Sequence, residues 1–191
     1  MAINPQIHHR RSIRLKEYDY SQAGGYFVTV CTHGRDCILG DIVEDNVRLN
    51  QFGEIVREEW LRTEQIRPEI RIDEFVVMPN HMHGVIIINY VGATRRVVPQ
   101  NGSTNRKKGD PSGRPYGPAA RSIGAIIGQF KSIVTKHINS LRKTSFIPIW
   151  QRNYYEYVIR DEDDLNRIRQ YIIDNPIRWD EDENNPKNWK K

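Results

Sequence analysis

The sequence predicts an α+β fold of the ferredoxin-like plan, in which elements follow the order β-α-β-β-α-β and a last helix comes after them. Short segments rich in β-branched and aromatic residues indicate strands. Longer segments repeat apolar residues every three or four positions, as amphipathic helices do. A hairpin signal between two strands favours an antiparallel sheet. The 191 residues suffice for one domain with its own core.

The first half of the chain contains three predicted strands and one helix. The first strand covers residues 26–32, which read YFVTVCT. A helix is expected over residues 50–66, where apolar residues keep helical spacing until an Arg-Pro pair stops it. Strands over residues 72–78 and 81–89 flank a Pro-Asn turn, so they form a hairpin.

The second half contains two helices and one strand. From Ile123 to Leu141, isoleucine, valine and phenylalanine recur at helical spacing over nearly six turns. A strand rich in aromatic residues is expected over residues 147–159. Asp161 caps the last helix, which ends near Asn175 because a proline follows.

Two basic segments extend beyond the expected core. We predict one domain over residues 1–191, with its core at about 14–179. A basic N-terminal arm covers residues 1–17. Residues 91–121 are rich in glycine, proline, serine and arginine, which predicts a flexible basic loop that buries little apolar surface.

The charge of the chain favours a polyanionic partner. Lysine and arginine total 29 against 24 acids, and the formal net charge is +5. Basic residues come first, whereas acids crowd the last helix and the residues after it, so we expect one nucleic-acid face. An ordinary solvated charge distribution is the alternative. The candidate DNA contacts are Lys131, Arg152, Arg10, Arg11 and Arg14.

The cysteines and the hydropathy profile indicate a cytoplasmic protein. Cys31 and Cys37 lack the spacing of a zinc knuckle and do not suggest a disulfide framework. No apolar run is long enough to span a membrane, and charged residues stand where a signal peptide would need apolar ones. We therefore expect no membrane partner and no export by the usual route.

Two pairs of residues suggest a metal-dependent reaction. His81 and His83 lie two apart on a predicted strand, so both imidazoles face one side and can reach one ion. A histidine pair without a metal is the alternative. Tyr171 and Asn175 lie four apart on one edge of the last helix, where a packed tyrosine and a helix-ending asparagine would be the ordinary explanation. The two pairs together favour a site.

Three segments resemble the REP-associated tyrosine transposases. They are VMPNHMHG at residues 77–84, WQRNYYE at 150–156 and YIIDNP at 171–176, and the resemblance spans about residues 14–179. These enzymes are related to the small single-tyrosine insertion-sequence transposases of the HUH superfamily, named for histidine-hydrophobic-histidine. The resemblance implies the following roles: His81, His83 and Asn175 bind a divalent metal, magnesium or manganese; Tyr171 is the nucleophile; and Arg14 helps to read a single-stranded guide beside a DNA hairpin.

This resemblance implies nicking and strand transfer of single-stranded DNA. Tyr171 would form a 5′-phosphotyrosine bond that conserves the phosphoester's energy, so a 3′-hydroxyl can reseal the strand without ATP. The sequence indicates no general base for the phenol. Tyr154, Tyr155 and Tyr157 are competing tyrosines, which we interpret as core or base-stacking residues.

Other functions are compatible with the same residues. A replication initiator or relaxase would use the same HUH chemistry, and a catalytically inactive module would only bind hairpin DNA. A zinc hydrolase would need a third strong ligand and an acid near the histidines, for which Glu74 is the candidate nearest in sequence. The sequence leaves open whether the protein is a monomer or a homodimer.

Overall fold

The fold is described from a computed structural model for residues 18–89 and 121–189. The predicted N-terminal arm, with Arg10, Arg11 and Arg14, lies outside the described residues. So does the predicted basic loop over residues 91–121, apart from Arg121.

Six strands and three α-helices follow one another in the described residues. In chain order they are β1 (Gly24–Cys31), β2 (Gly40–Val43), β3 (Asn46–Leu49), α1 (Gln51–Ile66), β4 (Ile70–Val77), β5 (His81–Ile88), α2 (Ile123–Leu141), β6 (Tyr155–Ile159) and α3 (Glu162–Asp174). Short 3₁₀ turns lie at His33–Arg35, Trp179–Glu181 and Pro186–Asn188. All three predicted helices are therefore confirmed.

The main sheet confirms the ferredoxin-like plan. Its strand order is β4-β5-β1-β6, and every neighbouring pair is antiparallel. The central strands β1 and β5 pair so that Thr29 lies opposite His83 and Cys31 lies opposite His81. Both histidines therefore stand on a strand that has partners on each side, which is a rigid position for a site.

Each helix begins at a polar side chain that accepts hydrogen bonds from the first turn. Asn50 accepts from the backbone N–H groups of Phe52 and Gly53, Ser122 from that of Ala125, and Asp161 from that of Asp164. These caps satisfy N–H groups that have no partner within the helix. They explain why the helices begin where the sequence predicts.

The helices cover the two faces of the sheet unequally. Helices α1 and α2 pack on one face, where the main core includes Trp60, Met82 and Phe130. Helix α3 packs on the other face, where Phe27 and Val85 contact Leu165 and Ile172. Because neighbouring residues of a strand point to opposite faces, His81 and His83 share the α3 side with Val85. The part of this face that α3 does not cover borders a cavity.

Two local features differ from the sequence prediction. The hairpin of β2 and β3 was not predicted; its turn residues Glu44 and Asp45 adopt positive φ angles of 49° and 60°. The strand predicted over residues 147–159 is too long, since Trp150 forms only an isolated bridge and β6 begins at Tyr155. The ammonium group of Lys131 binds the backbone carbonyls of Gln151 and Arg152, where the pairing with β1 is interrupted before β6 begins.

A membrane span was not expected, and no helix in the described ranges is both long and apolar enough to cross a bilayer.

Candidate metal centre

Two buried histidines form the centre of the site. The side chains of His81 and His83 are 0% and 2% exposed, and their Nε2 atoms lie 3.1 Å apart. Ligand nitrogens about 2.1 Å from one ion would lie roughly 3.0–3.4 Å apart at octahedral or tetrahedral angles. The prediction that both imidazoles share one sheet face is therefore confirmed, at a spacing that suits a shared ion.

Asn80 fixes the protonation of His81. The Nδ2 group of Asn80 donates to the backbone oxygens of Arg35 and Asn184, at 2.8 and 2.7 Å, which identifies the other amide atom as the oxygen. That oxygen lies 2.9 Å from Nδ1 of His81 and therefore accepts its proton. The Nε2 atom of His81 consequently carries a lone pair, as a metal ligand requires.

Thr29 and Phe27 orient His83 in a similar way. The Thr29 hydroxyl lies 2.8 Å from Nδ1 of His83. When His83 donates to this hydroxyl, its Nε2 presents a lone pair to the site. The imidazole also stacks on the ring of Phe27, with 5.4 Å between ring centroids. Strand β1 thus supplies both supports for this ligand.

Helix α3 brings Tyr171 to the histidines. Its hydroxyl lies 3.2 Å from Nε2 of His83, and its ring packs edge-on against His83 and Phe27. The residue is 43% exposed, so its oxygen is reachable from solvent while its ring is held. A held and accessible phenol is the arrangement that a nucleophile requires.

Asn175 completes the set of residues expected from the sequence. It ends α3 as the C-cap and is 4% exposed. Burial lowers the pKa of His81 and raises the pKa of Tyr171, and the Asn175 side chain opposes both shifts, so the amide lies near both groups. Within the described residues, its Oδ1 atom is buried without a hydrogen-bond partner. An oxygen left in this state fits a metal ligand.

Asp182 is a further residue of the site, and it was not predicted from the sequence. Its Oδ2 lies 3.6 Å from Nε2 of His81, and one atom from each of His81, His83 and Asp182 lies within 4.8 Å of the others. In the part of the chain that the structure describes, this oxygen too is buried without a hydrogen-bond partner. Glu74, the acid expected to be nearest, is not in this cluster.

After α3 the chain returns to the site, where a buried tryptophan packs against His81. Trp179 is 9% exposed, and its ring stacks on His81 at 6.1 Å between centroids. Asp182 follows three residues later, held through the bond from Asn80 to the carbonyl of Asn184. An isolated tryptophan within an acidic stretch was the only signal of this return, since the acids there were interpreted only as the counterpart of a basic nucleic-acid face.

Burial keeps both histidines neutral. It lowers the pKa of His81 to about 4, and it lowers the pKa of His83 well below its usual range. Burial also raises the pKa of Tyr171, and the carboxylate of Asp182 raises it further. Neutral imidazoles with two buried oxygens form a donor set that fits a divalent cation such as manganese or magnesium.

The other predicted DNA contacts lie outside this cluster. The Lys131 ammonium donates to the carbonyls of Gln151 and Arg152, at 2.5 and 3.1 Å, and burial lowers its pKa. Its position therefore supports the segment before β6. Arg152 has an exposed side chain on that segment, so its contact with DNA stays a prediction.

The chain has a relative of similar length, although no family model matches it. An uncharacterized protein of Haemophilus influenzae is 40% identical over 181 residues, which cover 94% of this chain and 95% of that protein. The chain belongs to the same family as this protein.

One solved structure confirms the fold. The REP-associated tyrosine transposase bound to a REP hairpin matches 87% of this chain and 74% of its own, with a TM-score of 0.55 and 19% identity. The family resemblance seen in the sequence is thus confirmed for the fold. A proposed transposase from Deinococcus radiodurans R1 matches 85% of this chain and 96% of its own at 16% identity, but its TM-score of 0.39 indicates only a weak structural similarity.

Proposed function

We propose that this protein is a metal-dependent enzyme that nicks single-stranded DNA and transfers the strand, with Tyr171 as its nucleophile. The observation that carries the proposal is the 3.2 Å distance between the Tyr171 hydroxyl and Nε2 of His83. The phenol thus adjoins a cluster with two further buried oxygens, on Asn175 and Asp182. A tyrosine that only packed against the core would not require this donor set.

The metal would be held by His81, His83, Asn175 and Asp182. This extends the ligand set implied by the family resemblance, which lacks the aspartate. When bound, a divalent ion supplies Lewis-acid chemistry that polarises a DNA phosphate. Magnesium or manganese suits the two oxygen ligands, and the imidazoles favour manganese.

Tyr171 would perform the covalent step. A bond forms between its phenolic oxygen and phosphorus, and the bond from phosphorus to the 3′ oxygen breaks. The phenol loses its proton, and the leaving 3′ oxygen gains one. The resulting 5′-phosphotyrosine conserves the energy of the phosphoester, so a 3′-hydroxyl can reverse the step and join a strand.

The surroundings of Tyr171 act in opposite directions on its ionisation. Burial and the charges of Asp182 and Glu183 raise the pKa of the phenol, whereas the nearby Asn175 side chain lowers it. The charge of Asp182 is offset when this carboxylate ligates a cation. Asn175 would thus serve both as a ligand and as a donor to the phenolate, through the two ends of its amide.

The proposed substrate is a DNA hairpin with a single-stranded flank. The solved structure with the same fold is bound to a REP hairpin, which supports this choice of substrate class. The net charge of +5 favours a polyanion as well. A replication initiator or relaxase would share the chemistry, but the described residues add no feature that favours that role.

The proposal is tested by a covalent adduct. The purified protein is incubated with manganese and with hairpin oligonucleotides drawn from the palindromic repeats of its host genome, and the products are separated on a denaturing gel. We expect a protein–DNA adduct and a shortened oligonucleotide, both abolished by a chelator. Tyr171→Phe should lose both products yet keep the melting temperature, since only one oxygen is removed.

Tyr157→Phe is the matched control, because Tyr157 lies on β6 and packs under α3, away from the histidines. This variant should form the adduct as the parent does. A metal hydrolase built on the two histidines and Asp182 would cut the DNA without an adduct and would tolerate Tyr171→Phe. A module that only binds DNA would leave every oligonucleotide intact. Either result would refute the strand-transfer proposal.

A further inference from the structure

A cavity of about 520 Å³ opens beside the metal centre on the sheet face that α3 leaves uncovered. Thr29 and Tyr155, which lie opposite each other on β1 and β6, both line it. His83 and Tyr171 line it too, so the cavity is continuous with the proposed reaction centre. Its volume falls within the roughly 300–1,000 Å³ of small-ligand sites and has room for a nucleotide.

The charges around the cavity do not favour a phosphate. Among the described residues that line it, Arg35 is positive and Glu183 is negative, so these two charges balance. The Arg35 guanidinium is also engaged, since it donates to the Glu183 carbonyl at 3.4 Å and lies over the Trp189 ring. A lining with balanced charge suits the uncharged base of a nucleotide better than its phosphate.

Polar groups suited to a base edge line one wall of the cavity. Gln151 and Asn153 belong to the segment before β6. Within residues 18–89 and 121–189, no hydrogen bond engages either side-chain amide. Lys131 holds this wall in place, because its ammonium binds the backbone oxygen of Gln151. Each amide offers a donor and an acceptor, which is what the edges of bases require.

An exposed aromatic ring completes the lining. Tyr155 is 39% exposed, and Phe27 supports its ring edge-on at 6.2 Å between centroids. Strand β6 lies at the edge of the sheet, so single-stranded DNA can approach this ring. Exposed aromatic rings on a sheet are common stacking surfaces for bases of single-stranded nucleic acids.

We infer that the cavity binds the base of the unpaired nucleotide next to the phosphate that Tyr171 attacks. Tyr155 stacks on this base, and Gln151 and Asn153 contact its edge. The inference rests on the proposed function, because it assigns the phosphate of the same nucleotide to the metal centre. It makes the cavity a determinant of cleavage position, separate from the surface that holds the hairpin.

Nucleotide binding can be measured without knowledge of the DNA target. The full chain, labelled with ¹⁵N, is titrated with each of the four deoxynucleoside 5′-monophosphates in the presence of magnesium. At least one of them should shift the side-chain amide signals of Gln151 and Asn153. The same titration with 2-deoxyribose 5-phosphate, which lacks a base, should leave these signals in place. If none of the four mononucleotides shifts them at about 10 mM, the inference is wrong.

Variants then locate the bound base. Tyr155→Ala should weaken binding of the responding nucleotide by about tenfold, whereas Tyr155→Phe should keep it, because the ring does the stacking. Asn153→Ala, at an exposed position, should weaken binding too and tests the cavity without altering a strand. Phe146→Ala is the control, since this aromatic residue is 99% exposed outside the cavity. Unchanged affinity in both Tyr155→Ala and Asn153→Ala would overturn the inference.

The adduct experiment separates this inference from the proposed function. If the parent protein forms an adduct but no mononucleotide enters the cavity, the strand-transfer proposal is supported and the inference of a base-binding cavity is wrong. If a mononucleotide binds in the cavity but no oligonucleotide forms an adduct, the cavity is a nucleotide site and the proposed chemistry is refuted.

Discussion

The side-chain oxygen of Asn80 lies 2.9 Å from Nδ1 of His81 and holds that proton on the side of the ring away from the proposed metal centre. The same amide donates to the carbonyl of Asn184, two residues after Asp182. One fully buried side chain thus orients one proposed ligand and anchors the segment that carries another. Such supporting bonds tune the affinity of a metal site.

We expect Asn80→Ala to affect both metal binding and stability. It leaves His81 Nδ1 and two carbonyl oxygens without their partner, so the free energy of unfolding should fall by about 3 kcal/mol. The affinity for manganese should fall by about 10- to 100-fold. Urea unfolding and manganese titration followed by electron paramagnetic resonance measure the two effects.

Asn139→Ala is the matched control for this variant. Asn139 is also buried, and its amide donates to the carbonyl of Ile147 at 2.9 Å, but α2 holds it on the other side of the sheet. This substitution should reduce stability and leave manganese affinity unchanged. Equal manganese affinity in the Asn80→Ala protein would show that Asn80 has only a structural role.

An ion pair attaches the helix of the proposed nucleophile to the edge of the sheet. Arg169 of α3 donates two hydrogen bonds to Asp73 of β4, at 2.7 and 2.9 Å. The guanidinium holds the pKa of the Asp73 carboxyl below its usual range. Arg169→Ala should therefore reduce the free energy of unfolding by about 1–2 kcal/mol at pH 7.

The pH dependence of this pair has a defined sign. Because the pKa of Asp73 is lower in the folded state, its contribution is complete above the unfolded value, about 3.9, and is lost as pH falls through the folded value. The stability difference between the parent and Arg169→Ala should therefore shrink at about pH 3. Urea titrations at the two pH values measure it, and a difference that grows in acid would contradict this account.

Local patterns were sufficient to predict most of the fold. Helix α2 begins at Ile123 and ends at Leu141, as its apolar spacing predicts, because a long amphipathic pattern has few alternative arrangements. The segment over residues 150–154 was predicted less well. Its aromatic residues favour a strand, but a lysine distant in sequence binds its carbonyls instead. A contact of this kind leaves no local signal.

The residues of the candidate site also differ in whether a local sequence pattern predicts them. His81 and His83 could be paired from strand alternation, and Tyr171 and Asn175 from helical spacing, since both rules concern neighbours in one element. Asp182 follows α3 on a segment without a repeating pattern, and its place depends on how Trp179 packs against His81. Residues positioned by tertiary packing alone cannot be found from periodicity.

Position 84, directly after His83, requires a glycine because the ring of Trp60 lies against the backbone there. A Cβ atom at this position would lie 2.6 Å from Cζ2 of Trp60, and that ring is fully buried and cannot move aside. Gly84→Ala should therefore reduce the free energy of unfolding by about 1–3 kcal/mol, measured in urea.

Gly128→Ala provides the comparison for this glycine. It lies within α2, and nothing is within 4 Å of the Cβ that the substitution adds. Because alanine favours a helix over glycine by about 1 kcal/mol, this variant should be as stable as the parent or more stable. If Gly84→Ala were equally well tolerated, contact with Trp60 would not explain the glycine.

Asp182 should act as a metal ligand rather than as surface charge. Its Oδ2 atom is buried near His81, and no described residue hydrogen-bonds to it. Asp182→Asn keeps the shape of the side chain and removes its charge. Because ligand charge strongly affects the affinity for hard cations, manganese should bind at least about tenfold more weakly. The free manganese signal in electron paramagnetic resonance measures the change.

Asp180→Asn removes the same charge two residues away, where the side chain is 86% exposed and faces Lys187. It should leave manganese affinity unchanged, because a solvated charge at this distance is screened. Asn175→Ala should weaken binding, since Asn175 offers the other buried oxygen. If Asn175→Ala weakens binding but Asp182→Asn does not, then the metal has three protein ligands, and Asp182 only raises the pKa of Tyr171.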